Sequence, residues 1–341
     1  MSVYEKMTAL ADAIRSKTGG TEKLTLDQMA TEVNGLQVGG GGEEWFNDGD
    51  THIWISLPEG RTSPMLGVGP NGTVTVDWGD GTEPDVLTGT SVSTVKFTPN
   101  HEYAKPGDYV IRLTIDGEMG LTGDSNGSYI LRCVPERDNR NYAYNNAVQR
   151  VEIGAGVTSI GGYTFQNCQS LTSVSIPDSV TSIGDRAFGS CYSLASVSIP
   201  DMVTSIGTHA FYGCYTLSSI TIPNGITSIG DQTFYNCYSL SSITIPNSVT
   251  TIGGYAFYNC YSLSSIMIPN SVTSFGNLAF FCCYGVRFYD FSNYTTVPTL
   301  SNANTFVNIP ADCEIRVPAA LYDEWKAATN WTTHASKIVA V

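Results

Sequence analysis

Cysteine is the residue type whose spacing comes closest to a chemical pattern, because six cysteines recur at a fixed interval of 23 residues. They are Cys168, Cys191, Cys214, Cys237, Cys260 and Cys283. Cysteines in such number suggest disulfides in a secreted chain, and clustered pairs suggest a metal site. No CxxC pair or histidine cluster accompanies them, and cysteine is among the most often buried side chains. The spacing therefore predicts a structural ladder of buried free thiols that holds no metal.

Residues that could perform catalysis form no recognisable arrangement. The chain contains four histidines, His52, His101, His209 and His334. No ordered nucleophile motif surrounds any of them, and the glycine-rich stretches lack the lysine of a phosphate-binding loop. The repeat region has too few carboxylates for a glycosidase pair. We therefore predict no catalytic residues, no cofactor and no enzymatic activity.

One acidic turn is the candidate metal site of the sequence. Asp77 and Asp80 lie close together, and several carboxylate oxygens are what a calcium ion requires. A turn whose aspartates cap their own backbone is the favoured interpretation of the same residues.

The overall charge narrows the range of partners. The formal net charge is -14, from 17 lysines and arginines against 31 aspartates and glutamates. Nucleic acids and anionic membranes both reward basic patches, so neither is expected as a partner. No apolar run reaches the length of a membrane span, and the first residues have no signal-peptide pattern.

The residues around each cysteine repeat with it. From Ile176 the chain reads IPDSVTSIGDRAFGSCYSLASVS, and from Ile199 it reads IPDMVTSIGTHAFYGCYTLSSIT. A period of this length predicts a solenoid, and L-x-x-V-x-I from Leu194 to Ile199 is typical of a leucine-rich-repeat strand. Six such units occupy 153–290. They resemble the BspA-like class of leucine-rich repeats, with its pattern IPxSVTSIGxxAFxxCxSLxSI. That resemblance implies extracellular adhesion or ligand binding.

The regions on either side of the repeats have their own predicted roles. Residues 135–152 are a polar connector, and residues 291–341 are a C-terminal helical cap. Leu321, Tyr322 and Trp325 lie at helical spacing in that cap and are expected to cover the open end of the solenoid.

Residues 45–134 show the pattern of a β-sandwich. Short alternating strands such as 73–77 and 109–115 are separated by Gly, Pro and Asp. The segments VDWGDGT and HEYAKPGDYVIRLTI resemble the PKD-type immunoglobulin-like module. The resemblance implies a sandwich that serves as a spacer or adhesion module, with Trp78, His101 and Tyr109 in its core or at its corner.

The N-terminal region is predicted to be a helical hairpin over 1–38, followed by a glycine-rich linker over 39–44. The segment LADAIRSKTGGTEKLTLDQMATEVNGL resembles the N-terminal segment of tail and baseplate proteins of phages that infect Gram-positive bacteria. The resemblance implies an attachment element that contacts other tail or baseplate subunits, and a homo-oligomer, with a trimer favoured. The whole chain is thus expected to be multidomain and mainly β.

Tyrosines dominate the positions next to the cysteine ladder and are the predicted ligand-binding residues. Together with two asparagines they are Tyr192, Tyr212, Tyr215, Tyr235, Tyr238, Tyr258, Tyr261, Tyr284, Asn236 and Asn259. Tyrosine offers a large contact area at a small entropy cost, so aligned tyrosines could grip a bacterial surface glycan or protein. The alternative is that they are consensus residues packing sideways on their neighbours.

Three functional interpretations follow from these features. The first is a phage tail fibre or receptor-binding protein, located in the virion and made in the host cytoplasm. The second is a BspA-like bacterial cell-surface adhesin, located outside the cell. The third is an accessory carbohydrate-binding protein.

Overall fold

The structure is a computed structural model that describes residues 46, 48–57, 64–94, 96–99, 101–121, 131–133, 147–264 and 266–341. The predicted hairpin over 1–38 and the linker over 39–44 lie outside the described residues, and so does most of the predicted connector. The described chain is mainly β and contains a solenoid of about eight turns. The mainly-β class and the solenoid are therefore confirmed.

The first described strands form an antiparallel β unit. They are β1 (Thr51–Leu57), β2 (Pro64–Asp77), β3 (Asp85–Thr90), β4 (Lys96–Phe97), β5 (Gly107–Leu121) and β6 (Leu131–Cys133). Strand β2 pairs with β3, β4, β5 and β6, and β1 pairs with β5. Alternate residues point into the core, as the period of a strand requires. Val74, Val76, Ile111 and Leu113 are all fully buried there.

Trp78 is the centre of an aromatic cluster in this unit. The Trp78 side chain is buried, and the His101 ring stacks on it at 4.5 Å. The Tyr103 hydroxyl donates a hydrogen bond to the Trp78 carbonyl at 2.9 Å, and the Tyr109 hydroxyl donates to the Lys105 carbonyl at 2.8 Å. The WGDGT turn is thereby fixed to the following loop. Membership of the PKD-type module stays a prediction.

The solenoid is built on two parallel strand ladders. Ladder A contains β8 (Val157–Ile160), β10 (Ser182–Ile183), β12 (Ser205–Ile206), β14 (Ser228–Ile229), β16 (Thr251–Ile252), β18 (Ser274–Phe275) and β20 (Thr299–Leu300). Ladder B contains β7 (Val148–Glu152), β9 (Ser173–Ser175), β11 (Ser196–Val197), β13 (Ser219–Thr221), β15 (Ser242–Thr244), β17 (Ile266–Met267), β19 (Phe288–Asp290), β21 (Glu314–Val317) and β22 (Ile338–Ala340). The hydrogen-bonded pairing is interrupted between β12 and β14 in ladder A, and between β9 and β11 and between β15 and β17 in ladder B. Elsewhere, pairing in register keeps one apolar residue per strand inside, for example Ile229 opposite Ile252.

The antiparallel unit is joined directly to the start of the solenoid. Strand β1 pairs with β7, placing Ile53 opposite Val151, and β5 pairs with β8, placing Leu121 opposite Ile160. Part of the predicted connector, Val148–Glu152, is therefore a strand. Unpaired strand edges template aggregation, so these two pairings cap both ladders at their first coil. The unit and the first coils of the solenoid share one continuous sheet.

The coil continues into the region predicted to be only a cap. Strand β20 pairs with β18, β21 with β19, and β22 with β21. Phe306 stacks on Phe280 at 5.3 Å, although it follows Phe280 by 26 residues instead of 23. The buried apolar positions are kept in this coil, but the coil is longer, so its residues do not fit the 23-residue period.

The helix α1 (Tyr322–Ala327) closes the last coil. Its Trp325 side chain is fully buried, while Leu321 and Tyr322 pack at the margin of the core. The Trp331 indole donates a hydrogen bond to the Pro298 carbonyl at 2.8 Å, and the Asn330 amide donates to the Leu300 carbonyl at 2.8 Å. These side chains satisfy backbone groups at the end of ladder A.

Candidate ligand-binding surface

Each coil places a phenylalanine and a cysteine inside. The phenylalanines stack from coil to coil, with ring centroids of Phe211 and Phe234 5.7 Å apart and nearly parallel. Each cysteine beyond the first donates its S–H to the carbonyl of a phenylalanine, as Cys237 does to Phe211 at 3.3 Å. All six ladder cysteines are free and buried. The thiol is therefore a small packing group that also gives the phenylalanine carbonyl a second hydrogen bond, since the Phe211 carbonyl already accepts the Cys214 N–H at 3.2 Å.

Burial keeps these thiols protonated. It raises the pKa of Cys214 and of Cys283 to about 12, from an ordinary value of 9.0. The pKa values of Cys168, Cys191, Cys237 and Cys260 are raised by the same cause. The thiolate is the reactive and metal-binding form, so the cysteine ladder contributes no chemistry near neutral pH.

The tyrosines beside the ladder form two stacked rows. The post-cysteine row consists of Tyr192, Tyr215, Tyr238, Tyr261 and Tyr284. Its successive ring centroids are 4.5, 4.8, 5.0 and 5.5 Å apart, with interplanar angles of at most 17°. The pre-cysteine row consists of Tyr212, Tyr235, Tyr258 and Phe281, with spacings of 5.0, 4.7 and 4.7 Å. The sequence therefore located two aligned stripes, whose rings pack on one another.

Stacking determines which part of each ring a ligand can reach. A ring between two neighbours has both faces covered, so its edge and hydroxyl are what remain accessible. Tyr261 is 40 % exposed, and Tyr284, at the end of the row, is 55 % exposed. Burial raises the pKa of Tyr215 and of Tyr238 above the ordinary 10.0, so their hydroxyls remain hydrogen-bond donors at neutral pH. The rows are hydroxyl-bearing edges instead of aromatic platforms.

The asparagines between the rows have a backbone reason to be there. Asn236 and Asn259 both have φ of 60°, in the left-handed region that asparagine and glycine tolerate best. The same register is left-handed at Asn167, Ser190, Gly213 and Cys282. The Asn259 amide also donates to the Asn236 side-chain oxygen at 2.9 Å. The left-handed turn explains the residues at this register without a ligand, and the recurring Asn, Gly and Ser at one position of the repeat are its signal in the sequence.

This turn gives a direct test of local stability. We expect Asn236→Ala to lower the free energy of unfolding by about 1–2 kcal/mol, because alanine resists the left-handed region. Asn236→Gly removes the same side-chain hydrogen bond but accepts the backbone, so its cost is expected to be smaller. Urea unfolding followed by circular dichroism measures both. An equal decrease in unfolding free energy for the two variants would mean that the side-chain hydrogen bond, and not the left-handed backbone, accounts for asparagine at this position.

Asp77 and Asp80 cap their own turn. The Asp77 carboxylate accepts the Gly79 N–H at 2.9 Å, and Asp80 accepts the N–H and hydroxyl of Thr82. Burial acts to raise the pKa of Asp80, but hydrogen bonds from Thr82 and His101 outweigh it and hold that pKa below its ordinary value. Among the described residues, no group of three or more His, Cys, Asp or Glu side chains is placed to hold a metal ion.

Within the described ranges, no helix has the length and apolar character needed to cross a membrane.

Comparison with known proteins gives the family. A family model of the BspA type leucine rich repeat region matches in six copies over 138–237 and 181–309. Among solved structures, a Leucine Rich Repeat protein of T. pallidum is 30% identical, covering 48% of this chain and 78% of that chain at a TM-score of 0.44. A leucine rich cell surface protein of Faecalibacterium prausnitzii is 27% identical, covering 52% of this chain and 61% of that chain at a TM-score of 0.30.

A leucine-rich repeat protein of Bacteroides ovatus is 21% identical, covering 71% of this chain and 70% of that chain at a TM-score of 0.37. No curated protein sequence matches the chain. The family match extends from 138 to 309, about half of the 341 residues. It therefore reaches beyond both ends of the predicted repeat region, 153–290. The chain belongs to the BspA-type leucine-rich repeat family.

Proposed function

We propose that this chain is an adhesion protein that binds a surface ligand through its two tyrosine rows. The observation that carries the proposal is the contrast between inner and outer aromatic positions. The inner register is phenylalanine in every coil from Phe165 to Phe280. The outer positions beside the cysteines are tyrosine in the same coils except at Gln166, Gln169, Gly189 and Phe281. Stacking alone does not require a hydroxyl, since the inner rings stack equally well without one. The hydroxyls equip the outer rows to bind a partner.

We place this protein outside the cell. Family membership supports that location, because the BspA-like resemblance implies extracellular adhesion. We therefore favour a bacterial cell-surface adhesin over a phage tail fibre. The attachment role and the trimer depend on residues 10–36, which lie outside the described residues, and both stay predictions. An accessory carbohydrate-binding role uses the same surface and differs only in what accompanies the chain.

A triple substitution tests the surface. We expect Tyr215→Ser, Tyr238→Ser and Tyr261→Ser together to weaken binding of the full chain by at least tenfold, because aromatic anchors dominate binding energy. Flow cytometry on bacterial and epithelial cells, together with a glycan array, measures the loss. The matched control replaces Ser196, Ser219 and Ser242 by Ala, one exposed residue per coil on ladder B. The proposal is wrong if the tyrosine variant binds as tightly as the wild type, or if the serine-to-alanine control loses as much binding as the tyrosine variant.

A further inference from the structure

We propose that the ligand is an uncharged linear polysaccharide that lies parallel to the solenoid axis and hydrogen-bonds to successive tyrosine hydroxyls. This inference rests on the proposed function and specifies the chemical class that the tyrosine rows recognise. It is carried by three properties of the rows: their covered faces, their regular spacing and their lack of charge.

The covered faces exclude recognition by stacking along most of the surface. Tyr215 lies between Tyr192 and Tyr238, with centroids 4.5 and 4.8 Å away and planes within 10° of parallel. A sugar ring laid on an aromatic face needs that face free, so inner positions such as Tyr215 cannot hold one. At those inner positions the ring edge and the hydroxyl are the parts that stacking leaves uncovered. Recognition along the rows must therefore be mainly by hydrogen bonds.

The spacing selects a ligand with a repeat of its own. Backbone hydrogen bonds hold the rows at the coil step, for example from the Asn236 N–H to the Tyr258 carbonyl at 2.8 Å. An extended peptide alternates its side chains and repeats about every 6.6 Å, at roughly 3.3 Å per residue. That repeat does not match ring spacings of 4.5 to 5.5 Å. A pyranose unit with its glycosidic bond is longer than one extended peptide residue and shorter than two, so consecutive sugar units can meet consecutive hydroxyls of a row.

The lack of charge selects against acidic and basic partners. Neither row contains a charged residue, and the strip between them consists of Ser190, Gly213, Asn236, Asn259 and Cys282. An anionic polymer would lose hydration there without gaining a counter-charge, which is costly. A neutral polysaccharide offers both donors and acceptors. The phenolic hydroxyls and the Asn236–Asn259 amide pair can satisfy both kinds of group.

The decisive experiment measures affinity for oligosaccharides of increasing length, and compares the wild type with a variant that lacks only the tyrosine hydroxyls. Glucan and mannan oligosaccharides from disaccharide to octasaccharide, and the parent polysaccharides, are titrated against the full chain. We expect affinity to rise with each added unit and to level off once the ligand spans Tyr192 to Tyr284. Substituting Tyr215, Tyr238 and Tyr261 by Phe preserves stacking and removes three hydrogen bonds of about 1 kcal/mol each, so affinity for the longest ligand should fall roughly 100-fold. Tyr109→Phe, in the antiparallel unit, is the control.

Cell treatments separate failure of this inference from failure of the proposed function. Binding to cells that resists protease and is lost after periodate oxidation supports a polysaccharide ligand. Cell binding that is lost after protease but survives periodate overturns the polysaccharide and leaves the adhesion function standing. Equal affinity for disaccharide and octasaccharide, or wild-type affinity of the phenylalanine variant, also overturns the inference. Cell binding that survives the tyrosine-to-serine triple overturns the proposed function itself.

Discussion

Phe234→Ala is expected to lower the free energy of unfolding by about 3–5 kcal/mol, the range found for large aromatic side chains removed from a core. The Phe234 ring is fully buried and stacks between Phe211 at 5.7 Å and Phe257 at 5.5 Å. Its loss leaves a cavity that touches three consecutive coils. Because solenoid stability depends on contacts between neighbouring units, the effect should spread along the coil.

The adjacent residue provides the matched control. Tyr235 stacks at similar distances, 5.0 and 4.7 Å, but on the outside of the coil. We expect Tyr235→Ala to cost about 0.5–1.5 kcal/mol, the scale of an aromatic pair, because water fills the space that the ring leaves. Urea unfolding monitored by circular dichroism compares the two variants. Equal costs would contradict the assignment of phenylalanine to the core and tyrosine to the surface.

Stability is expected to fall steeply as pH rises above about 9. The folded pKa of each ladder cysteine is raised by burial, so the folded chain keeps protons that the unfolded chain releases near the ordinary value of 9.0. The stabilising contribution is therefore fully present below pH 9.0 and is lost between there and the folded pKa, about 12 for Cys214. Each such thiol contributes up to about 1.4 kcal/mol per pH unit in that window.

The six buried thiols all act in the same direction, so we expect the unfolding free energy to decrease continuously as pH rises above about 9. Unfolding free energies measured in urea from pH 8 to pH 11 test this. Buried tyrosines such as Tyr289 act in the same direction at higher pH, so a single-thiol control is needed. We expect Cys237→Ala to make the unfolding free energy decrease less steeply with rising pH, because one thiol with a raised pKa is removed. An unchanged slope would show that the ladder does not govern alkaline stability.

The repeat itself could be predicted well from the sequence, because each coil buries the same residues at the same register. The period of the cysteines and the inward phenylalanines located the solenoid, and the family match confirms it. The final coil was missed because its interval grows to 26 residues while its apolar positions, such as Phe306, are kept. A coil that keeps its buried residues but changes its length does not fit a fixed period in the sequence.

The capping of the first coil could not be predicted, since it depends on contacts between distant strands. The pairing of Ile53 with Val151 joins residues almost a hundred positions apart across a polar stretch that looked like a connector. The sequence predicts that the tyrosines align from coil to coil, and the ring spacings show that alignment, while their role in binding stays a prediction. Their face-to-face stacking depends on the coil step, which only the three-dimensional arrangement provides, and that stacking changed the expected mode of recognition from ring faces to hydroxyls.

The most direct test of the central claim is a map of where the ligand touches the folded protein. Hydroxyl-radical footprinting with mass spectrometry, on the full chain with and without bound cells or polysaccharide, reports this for each tyrosine. We predict protection of Tyr215, Tyr238 and Tyr261, with Tyr109 and Tyr322 unchanged. Protection confined to residues outside the two rows, with the three tyrosines labelled as in the free protein, would contradict the claim that these rows are the binding surface.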